Sequence, residues 1–407
     1  MKILIFSQYF WPENFRINEI AKALQEKSID VEVLTGKPNY PDGVIFEGYG
    51  SIGIQKEIYE GMLIHRIPLI ARGSGGTRLA INYLSFVFSG LVFAPWLLRR
   101  NKYEVIFVYA VSPILQAIPA IFLGWMKRVP VILWVQDIWP ESLSATGYVK
   151  NKFFLKIIEH IVRFIYRHVD MLLVQSEAFI KPVSELASDT PVKYYPNSVD
   201  ARSLSINASA TPVIQGLDHG FSIMFAGNIG AAQAVEVIVD AASLLHGNSD
   251  IHFIVLGDGS RRNWMLNEVK SRGLNNLHLP GRFPVETMPG LMQKASILLA
   301  TLADRAVFAA TVPSKVQSYM AAGRPIIACM NGEGARLVLQ SGSGLAVNAE
   351  DSKGLAEAII KLYLTTKSER EEMGNKGHQY YKMHFNHATL MNDLIAHFDV
   401  VRQKKRE

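Results

Sequence analysis

The sequence predicts an α/β fold made of two Rossmann-like domains, each a parallel sheet covered by helices on both faces. Short apolar runs alternate with helical segments along the chain, a pattern typical of a buried parallel sheet. At 407 residues, the chain has room for about two such domains. If the two domains face each other, a cleft lies between them at the carboxyl ends of their strands.

The first half of the chain supplies the strands and helices of one domain. Its predicted strands are Lys2–Phe6, Val31–Thr35, Ile64–Leu69, Val105–Tyr109, Val131–Val135 and Met171–Gln175. Two segments between them, 18–25 and 153–167, have the spacing of helices, and in the first of them Ile20, Ala21 and Leu24 share a face.

The second half restarts the same alternation. Its predicted strands are Ser222–Ala226, Ile251–Leu256, Ile297–Leu302 and Pro325–Cys329. Residues 201–216 are rich in Ser, Ala, Asn and Pro and are predicted to be the linker. We therefore expect an N-terminal domain at 1–205, a C-terminal domain at 206–380, and a last helix at 381–407 that packs back on the first domain.

Composition narrows the class of protein. The chain is 49% hydrophobic and 19% charged, which is enough apolar residues for two cores. The single cysteine, Cys329, excludes a disulfide framework and fits a reducing cytosol, and the first strand begins without a secretory signal. A net charge of +6 suits anionic lipid or a phosphorylated substrate. We expect no nucleic-acid partner, since the sequence has no block of five like charges and no zinc-finger spacing.

A long apolar segment needs its own interpretation. Residues 79–98 carry no charge, and they lie between Arg78 on one side and Arg99, Arg100 and Lys102 on the other. Three interpretations stay open: a helix lying in a membrane interface, a buried helix of the N-terminal domain, and a span or re-entrant hairpin. We favour the interfacial helix, because the basic flanks suit anionic headgroups and strands on both sides argue against a lone span.

Glycine-rich turns follow successive strands of the second half. They are Gly227-Asn228-Ile229-Gly230, Gly257-Asp258-Gly259-Ser260-Arg261-Arg262 and Pro280-Gly281-Arg282-Phe283. Glycine after a strand permits a tight turn and the close approach of a ligand to the backbone. We take five residues of these turns as candidate ligand contacts: Gly227, Asn228, Arg262, Arg282 and Phe283.

The segment from Thr311 to Pro325 predicts a helix that begins near Pro313 and ends at Gly323. Free N–H groups and the helix dipole at its start favour an anion, and Lys315 adds a full charge next to Ser314. The alternative interpretation is a packing helix with a surface lysine.

These motifs resemble glycosyltransferase family 4, the enzymes of the GT-B fold that use nucleotide-diphosphate sugars. The resemblance is carried by 7–16 (SQYFWPENFR), 134–142 (WVQDIWPES), 195–200 (YPNSVD), the Gly227 turn, Gly257-Asp258-Gly259 and 313–325. The first two segments and the last are most similar to N-acetyl-L-fucosamine transferases of O-antigen and capsule synthesis.

The resemblance implies an acceptor-binding N-terminal domain with a membrane-associating segment and a nucleotide-sugar-binding C-terminal domain. It also implies a UDP-sugar donor, an undecaprenyl-diphosphate-linked acceptor, no metal cofactor, and a location on the cytoplasmic face of the inner membrane. Two alternatives stay open: a nucleotide-sugar epimerase of the same fold, similar to UDP-N-acetylglucosamine 2-epimerase, and a non-catalytic binding subunit.

Several positions depart from the family pattern. Ala310 and Ser318 replace the two usual glutamates, Asn228 and Gln233 replace an Arg and a Lys, and Val111 replaces a histidine. With these replacements, the resemblance implies that Gln317 or Ser318 contacts the ribose. It implies that Lys315, Arg262, Arg282 and backbone amides contact the diphosphate.

Proton transfer requires an acidic side chain near the cleft. Asp137 and Glu141 follow a strand, and Glu13 and Arg16 lie on the loop after the first strand. A general base must have a pKa suited to its task, and each carboxylate has a structural alternative as a cap or an ion-pair partner. Retention and inversion of the anomeric configuration both stay open.

Overall fold

A computed structural model describes residues 1–50, 52–73, 75–145, 151–199 and 211–405. The chain divides into two compact units. Unit 1 comprises Met1–Tyr195 and Met391–Glu407, and unit 2 comprises Pro196–Leu390. The predicted boundary at 205/206 and most of the predicted linker at 201–216 lie outside the described residues.

Unit 1 is built on a mostly parallel sheet. Its strands are β1 (Lys2–Phe6), β2 (Asp30–Gly36), β3 (Gln55–Tyr59), β4 (Met62–Ile67), β5 (Val105–Ala110), β6 (Val131–Val135), β7 (Met171–Val174) and β8 (Val192–Tyr194). Their order is β3-β4-β2-β1-β5-β6-β7-β8, and β3 is antiparallel to β4. The sequence did not predict β3, whose Gln55, Lys56 and Glu57 lack an apolar run and suit an unprotected sheet edge.

The helices of unit 1 connect these strands. They are α1 (Arg16–Glu26), α2 (Gly76–Leu97), α3 (Ala117–Lys127), α4 (Glu141–Ala145), α5 (Lys152–Arg167) and α6 (Ile180–Ala187). The connections through α2, α3 and α5 all step in the same direction along the sheet, from β4 to β5, β6 and β7. Because such crossovers are right-handed, these three helices lie on one face of the sheet.

Unit 2 contains a second parallel sheet. Its strands are β9 (Phe221–Ala226), β10 (Ile251–Leu256), β11 (Leu277–Gly281), β12 (Ile297–Thr301), β13 (Ile326–Cys329) and β14 (Gly344–Val347), in the order β11-β10-β9-β12-β13-β14. Alternate residues of β9 enter two cores, Ile223 and Phe225 on one face and Met224 on the other. The sheet is therefore buried on both faces, as the apolar runs predicted.

The helices of unit 2 cover both faces of this sheet. They are α7 (Glu236–Leu244), α8 (Arg262–Ser271), α9 (Met288–Lys294), α10 (Ala306–Ala309), α11 (Ser314–Ala322), α12 (Glu333–Gln340), α13 (Ser352–Leu364) and α14 (Lys367–His384). A capping box between Thr366 and Glu369 fixes the start of α14, because each side chain accepts a hydrogen bond from the backbone of the other.

The last helix, α15 (His387–Lys404), runs from unit 2 into unit 1. Its Phe398 packs edge-on against Phe107 of β5, with ring centroids 5.5 Å apart, and Arg402 pairs with Glu104 at 3.1 Å. These contacts hold the end of the chain on the face of the unit 1 sheet that carries Phe107.

The apolar segment predicted at 79–98 forms α2. Among the described residues it is the one helix long and apolar enough to cross a membrane, and 39% of its most apolar 18-residue window is buried. Asn82 is fully buried and accepts a hydrogen bond from Gln8 of unit 1 at 2.7 Å, and Phe86 contacts Phe6 of β1. One side of α2 is therefore packed against the sheet of its own unit.

Candidate functional site

The polar residues predicted in unit 2 gather where its strand order reverses. After β11 the chain crosses over β10 and β9 to form β12, so β9 and β12 are neighbours whose connections leave in opposite directions. The carboxyl ends of two such strands open a crevice, which is the usual ligand site of a doubly wound sheet.

The glycine turns of unit 2 stack against one another at this edge. Gly227, which follows β9, donates its N–H to Leu256 of β10, and Gly257 donates to Gly281 of β11, both at 2.9 Å. A β-carbon on Gly257 would lie 1.9 Å from the carbonyl oxygen of Gly227, and one on Gly259 would lie 2.4 Å from that of Ile229. The turns approach this closely only because these positions are glycine.

Lys315 lies in the first turn of α11, directly beside Gly227. A β-carbon on Gly227, whose φ is +136°, would lie 2.6 Å from Cε of Lys315. The helix begins at Ser314, with Pro313 as its N-cap, and ends at Gly323 in the left-handed conformation, as predicted to within a residue. The open backbone amides of the helix start and the lysine thus lie next to the β9 turn.

The amine of Lys315 is buried and has no hydrogen-bond partner in the described part of the chain. Its Nζ lies 3.6 Å from the ring centroid of Phe225, the last but one residue of β9. Burial lowers the pKa of Lys315 from 10.5 to about 7. Burying a charged amine without a carboxylate partner costs folding free energy, and an anionic ligand would supply the missing partner.

Other predicted residues of unit 2 lie around the same turns. Arg262 begins α8 and its Nη2 lies 3.5 Å from the carbonyl oxygen of Leu279 in β11. Arg282 is exposed and pairs with Asp258 at 3.5 Å. Asn228 is exposed and donates to Gln233 at 3.3 Å, while Phe283 packs on the core beneath. The structure thus brings both arginines and Asn228 to the edge where Lys315 lies.

The two residues predicted to contact a ribose differ in exposure. Gln317 is fully buried, and neither end of its amide has a partner among the described residues. Ser318 is half-exposed, and so is Pro313, while Ser314 is exposed. Of the two predicted ribose contacts, Ser318 is therefore the more accessible, and the amide of Gln317 lies inside unit 2.

In unit 1 the strand order reverses between β1 and β5, and Glu13 lies on the loop after β1. Its carboxylate is buried and accepts hydrogen bonds from the backbone amides of Asn39 and Tyr40 at 2.8 Å and of Phe10 at 3.3 Å. Burial raises the pKa of Glu13 to about 7, and these hydrogen bonds oppose the rise. Glu13 therefore ties two loops together through these hydrogen bonds, and its acid–base role stays a prediction.

Asp137, directly after β6, is held by a residue that sequence reasoning missed. Its Oδ2 accepts from the hydroxyl of Ser112 at 2.9 Å and from the Ser112 amide at 3.3 Å. The indole N–H of Trp139 donates to the same Ser112 hydroxyl at 3.1 Å. Burial raises the pKa of Asp137 above its ordinary value, and the hydrogen bonds from Ser112 partly offset that rise.

The remaining predicted residues of unit 1, Arg16 and Glu141, each influence a buried tyrosine that Asp137 also influences. Burial raises the pKa of Tyr109. The charge of Arg16 lowers this pKa, and the charge of Asp137 raises it further. Burial also raises the pKa of Tyr166, to which the carboxylates of Glu141 and Asp137 add. Arg16 therefore acts on Tyr109, and Glu141, which is exposed, acts on Tyr166.

Each unit therefore carries its own group of polar residues at the edge where its strand order reverses. Unit 2 presents a desolvated amine, two arginines and a helix start to an anion, and unit 1 presents a carboxyl of raised pKa. Among the described residues, no group of three or more His, Cys, Asp or Glu side chains could hold a metal ion.

Family models match both units. The model described as "Glycosyl transferase 4-like domain" matches residues 14–198, and the model described as "Glycosyl transferases group 1" matches residues 220–365. The first begins directly after Glu13 and spans Asp137, and the second spans the glycine turns and Lys315.

Curated relatives include two bacterial proteins. The probable glycosyltransferase WbjE of Pseudomonas aeruginosa is 26% identical over 309 residues, which is 71% of this chain and 74% of WbjE. The putative colanic acid biosynthesis glycosyl transferase WcaI of Escherichia coli K12 is 24% identical over 342 residues, which is 79% of this chain and 82% of WcaI.

Solved structures share the fold over almost the whole chain. Anabaena HepE in complex with UDP has a TM-score of 0.70 at 14% identity and covers 98% of this chain and 99% of its own. The trehalose-phosphate synthase of Burkholderia xenovorans has a TM-score of 0.73 at 13% identity, with coverage of 98% and 100%. The predicted α/β fold of the GT-B type is confirmed. The chain carries a glycosyl transferase 4-like domain in its first half and a glycosyl transferases group 1 domain in its second half, and it is therefore a glycosyltransferase.

Proposed function

We propose that this glycosyltransferase moves N-acetyl-L-fucosamine from its UDP donor to an acceptor sugar on undecaprenyl diphosphate, in O-antigen or capsular polysaccharide synthesis. The observation that carries the donor half of the proposal is the buried, unpartnered amine of Lys315 beside Gly227. Its position at the point where the sheet order reverses is where a doubly wound domain binds nucleotides.

The electrostatics of this edge favour a diphosphate. Charge develops on the leaving diphosphate as the glycosidic bond breaks, and fixed positive groups in a desolvated site stabilise that charge most strongly. Lys315, Arg262 and the open amides at the start of α11 supply such groups, with Arg282 on the exposed rim. In this proposal the reaction needs no metal ion.

Asp137 is the proposed proton acceptor for the acceptor hydroxyl. A carboxyl whose pKa is raised toward neutrality is a better general base than an ordinary aspartate. Ser112 and Trp139 fix the position of the carboxylate through the hydrogen bonds described above. Arg16 and Glu141 are the neighbouring candidates for contacts with the acceptor.

The printed names of relatives support the substrate class. WcaI is described as a colanic acid biosynthesis enzyme, and HepE was solved with UDP and with UDP-glucose. The choice of N-acetyl-L-fucosamine rests on the similarity of 7–16, 134–142 and 313–325 to transferases of that sugar. Peripheral attachment to the cytoplasmic face of the inner membrane, through α2, belongs to the same proposal.

A binding and product assay tests the proposal. UDP-N-acetyl-L-fucosamine should raise the melting temperature of the purified protein, because a ligand that binds only the folded state stabilises it. Lys315→Ala should abolish that shift, whereas Lys353→Ala, a matched change of an exposed lysine on α13, should keep it.

Incubation with a lipid-linked acceptor should yield a longer saccharide. A change of the donor sugar in the absence of any acceptor would favour the epimerase alternative instead. If no UDP- or GDP-sugar binds the purified protein, the proposed function fails.

A further inference from the structure

The side of α2 that does not pack on the sheet is a continuous apolar stripe. Its exposed side chains recur at helical spacing along the whole helix: Ile81, Leu84, Phe88, Val92 and Trp96. Phe88, in the middle, is 71% exposed. At 1.5 Å per residue the stripe from Ile81 to Trp96 is about 22 Å long, so these residues form a continuous patch and are not single scattered apolar side chains.

Two neighbouring helices extend this stripe sideways. Phe122, Trp125 and Met126 are exposed on α3, and Phe153, Ile157 and Phe164 are exposed along one side of α5. Since α2, α3 and α5 lie on the same face of the sheet, their exposed residues form one surface, which we name the helical apolar face.

A groove joins the three helices within this face. It has a volume of about 440 Å³ and is lined by apolar side chains from all three, including Leu91 of α2, Phe122 of α3 and Phe164 of α5. Its polar end is formed by His168, Asp170 and Lys405, where the lysine pairs with the aspartate at 3.0 Å. The groove is thus apolar along its length and charged only at one end.

Charges around the helical apolar face are almost all positive. The basic residues of the three helices are Arg78, Lys127, Lys152, Lys156, Arg163 and Arg167, and their one acidic residue is Glu159. Glu159 is already paired with Arg163 at 2.8 Å. Four further basic residues follow α2 or α3 directly or within a few positions: Arg99, Arg100, Lys102 and Arg128.

We infer that the helical apolar face, formed jointly by α2, α3 and α5, is the surface by which the protein enters the headgroup region of an anionic lipid bilayer. This inference deepens the membrane association of the proposed function, on which it rests. It assigns that association to three helices and not to α2 alone.

The distribution of residue types selects the bilayer as the occupant. Apolar side chains that enter the acyl boundary bring their flanking lysines and arginines to the depth of lipid phosphates, where each basic residue adds attraction. The tryptophans, Trp96 and Trp125, suit the interface because the indole ring combines an apolar body with an N–H donor. A protein partner that fitted the same surface would need an acidic rim of its own.

Flotation with lipid vesicles tests the inference without any sugar nucleotide. The wild-type chain should float with vesicles of phosphatidylethanolamine and phosphatidylglycerol, and should bind far less to phosphatidylcholine alone. Trp125→Glu and Phe164→Glu, on α3 and α5, should each reduce binding about tenfold or more, because each places a charge where an apolar group was buried in lipid. The matched control is Ile58→Glu on the edge strand β3, since Ile58 is 74% exposed and Trp125 is 78% exposed.

Each outcome decides the inference. Full vesicle binding by Trp125→Glu and Phe164→Glu would overturn the three-helix face, even if a change of Phe88 on α2 removed binding. Equal binding to neutral and anionic vesicles would overturn the role of the basic rim. A lipid-free dimer that Trp125→Glu dissociates would assign the face to a second copy of the chain and overturn the inference as well.

A fluorescence measurement guards against variants that misfold. Lipids brominated on their acyl chains should quench the emission of the wild-type protein, and Trp96→Phe with Trp125→Phe should remove that quenching while leaving the fold intact. Nucleotide binding measured on the same variants should stay unchanged, so a failure of this inference is distinguishable from a failure of the donor proposal.

Discussion

Replacing Lys315 with methionine should make unit 2 more stable while it removes the proposed phosphate contact. Methionine matches the lysine side chain as far as Cε, and its thioether and methyl group can pack near the ring of Phe225, whose centroid the amine now approaches to 3.6 Å. The change deletes a buried amine that has no partner among the described residues. The cost of that burial, and hence the gain on removing it, follows from the pKa of Lys315.

The pKa of Lys315 is about 7 in the folded protein and 10.5 in an unfolded chain. Between these values the unfolded state binds more protons than the folded state, so the stability of the wild-type protein rises with pH in this window. The penalty is largest below pH 7, where folding requires either loss of the proton or burial of the charge. It disappears above about pH 10.5, where the lysine is neutral in both states.

The size of the penalty is the difference between the two pKa values of Lys315, about 7 and 10.5, multiplied by about 1.4 kcal/mol per unit, or about 5 kcal/mol at its largest. Close to pH 7 the variant should therefore gain about 4 kcal/mol, equivalent to a rise in melting temperature of about 10 °C for a unit of this size. At pH 10 the gain should fall to about 1 kcal/mol.

Thermal melts and urea unfolding at pH 7 and pH 10 measure this difference directly. Lys353→Met, at an exposed position of α13, is the matched control and should change stability little at either pH. A Lys315→Met protein that is less stable than wild type, or whose stability difference does not depend on pH, would refute the argument that the amine is buried at a cost.

Three further predictions concern UDP binding, the Gly227 turn and Asp137. Binding of UDP at pH 8 should take up close to one proton, because a diphosphate restores the charge of Lys315. Calorimetry in buffers of different ionisation enthalpy measures this uptake, and release of a proton would contradict the prediction. Gly227→Ala should destabilise the protein by about 1–3 kcal/mol in urea titrations and weaken UDP binding, since its β-carbon would lie 2.6 Å from the lysine at a φ of +136°. Asp137→Asn should lower kcat about a hundredfold or more in a transfer assay, with the KM for donor nearly unchanged. A normal kcat would remove Asp137 from the proposed mechanism.

The strands of both sheets could be predicted from the sequence because their apolar runs are local. The predicted strands at 2–6, 131–135 and 251–256 coincide with β1, β6 and β10. Edge strands such as β3 and β8 were missed, since an edge strand is half-exposed and carries no apolar run. Their pairing depends on the neighbouring strand, which a local pattern does not reveal.

The candidate sites were predictable in residue type but not in exposure. Lys315 and Gln317 are two positions apart on one helix, yet only the structure distinguishes the lysine beside Gly227 from the fully buried amide. Ser112 lies 25 residues before Asp137 in the sequence, and nothing local links the two. The partners of Glu13 were not predictable either, because the amides that it binds, 26 and 27 residues later, belong to another loop.

The amino-acid composition of α2 does not reveal which side of the helix is buried. Its residues are apolar on every side, so hydropathy does not distinguish the buried side from the exposed one. The side that carries Asn82 and Phe86 packs against the rest of unit 1, and the side that carries Phe88 and its neighbours is exposed.

A crystal structure of the protein with UDP tests the central claim most directly. We expect a β-phosphate oxygen within about 3 Å of the Nζ of Lys315, at the carboxyl end of β9, with the Gly227 turn closed against it. A diphosphate bound at another edge of unit 2, with the lysine still resting on Phe225, would contradict it.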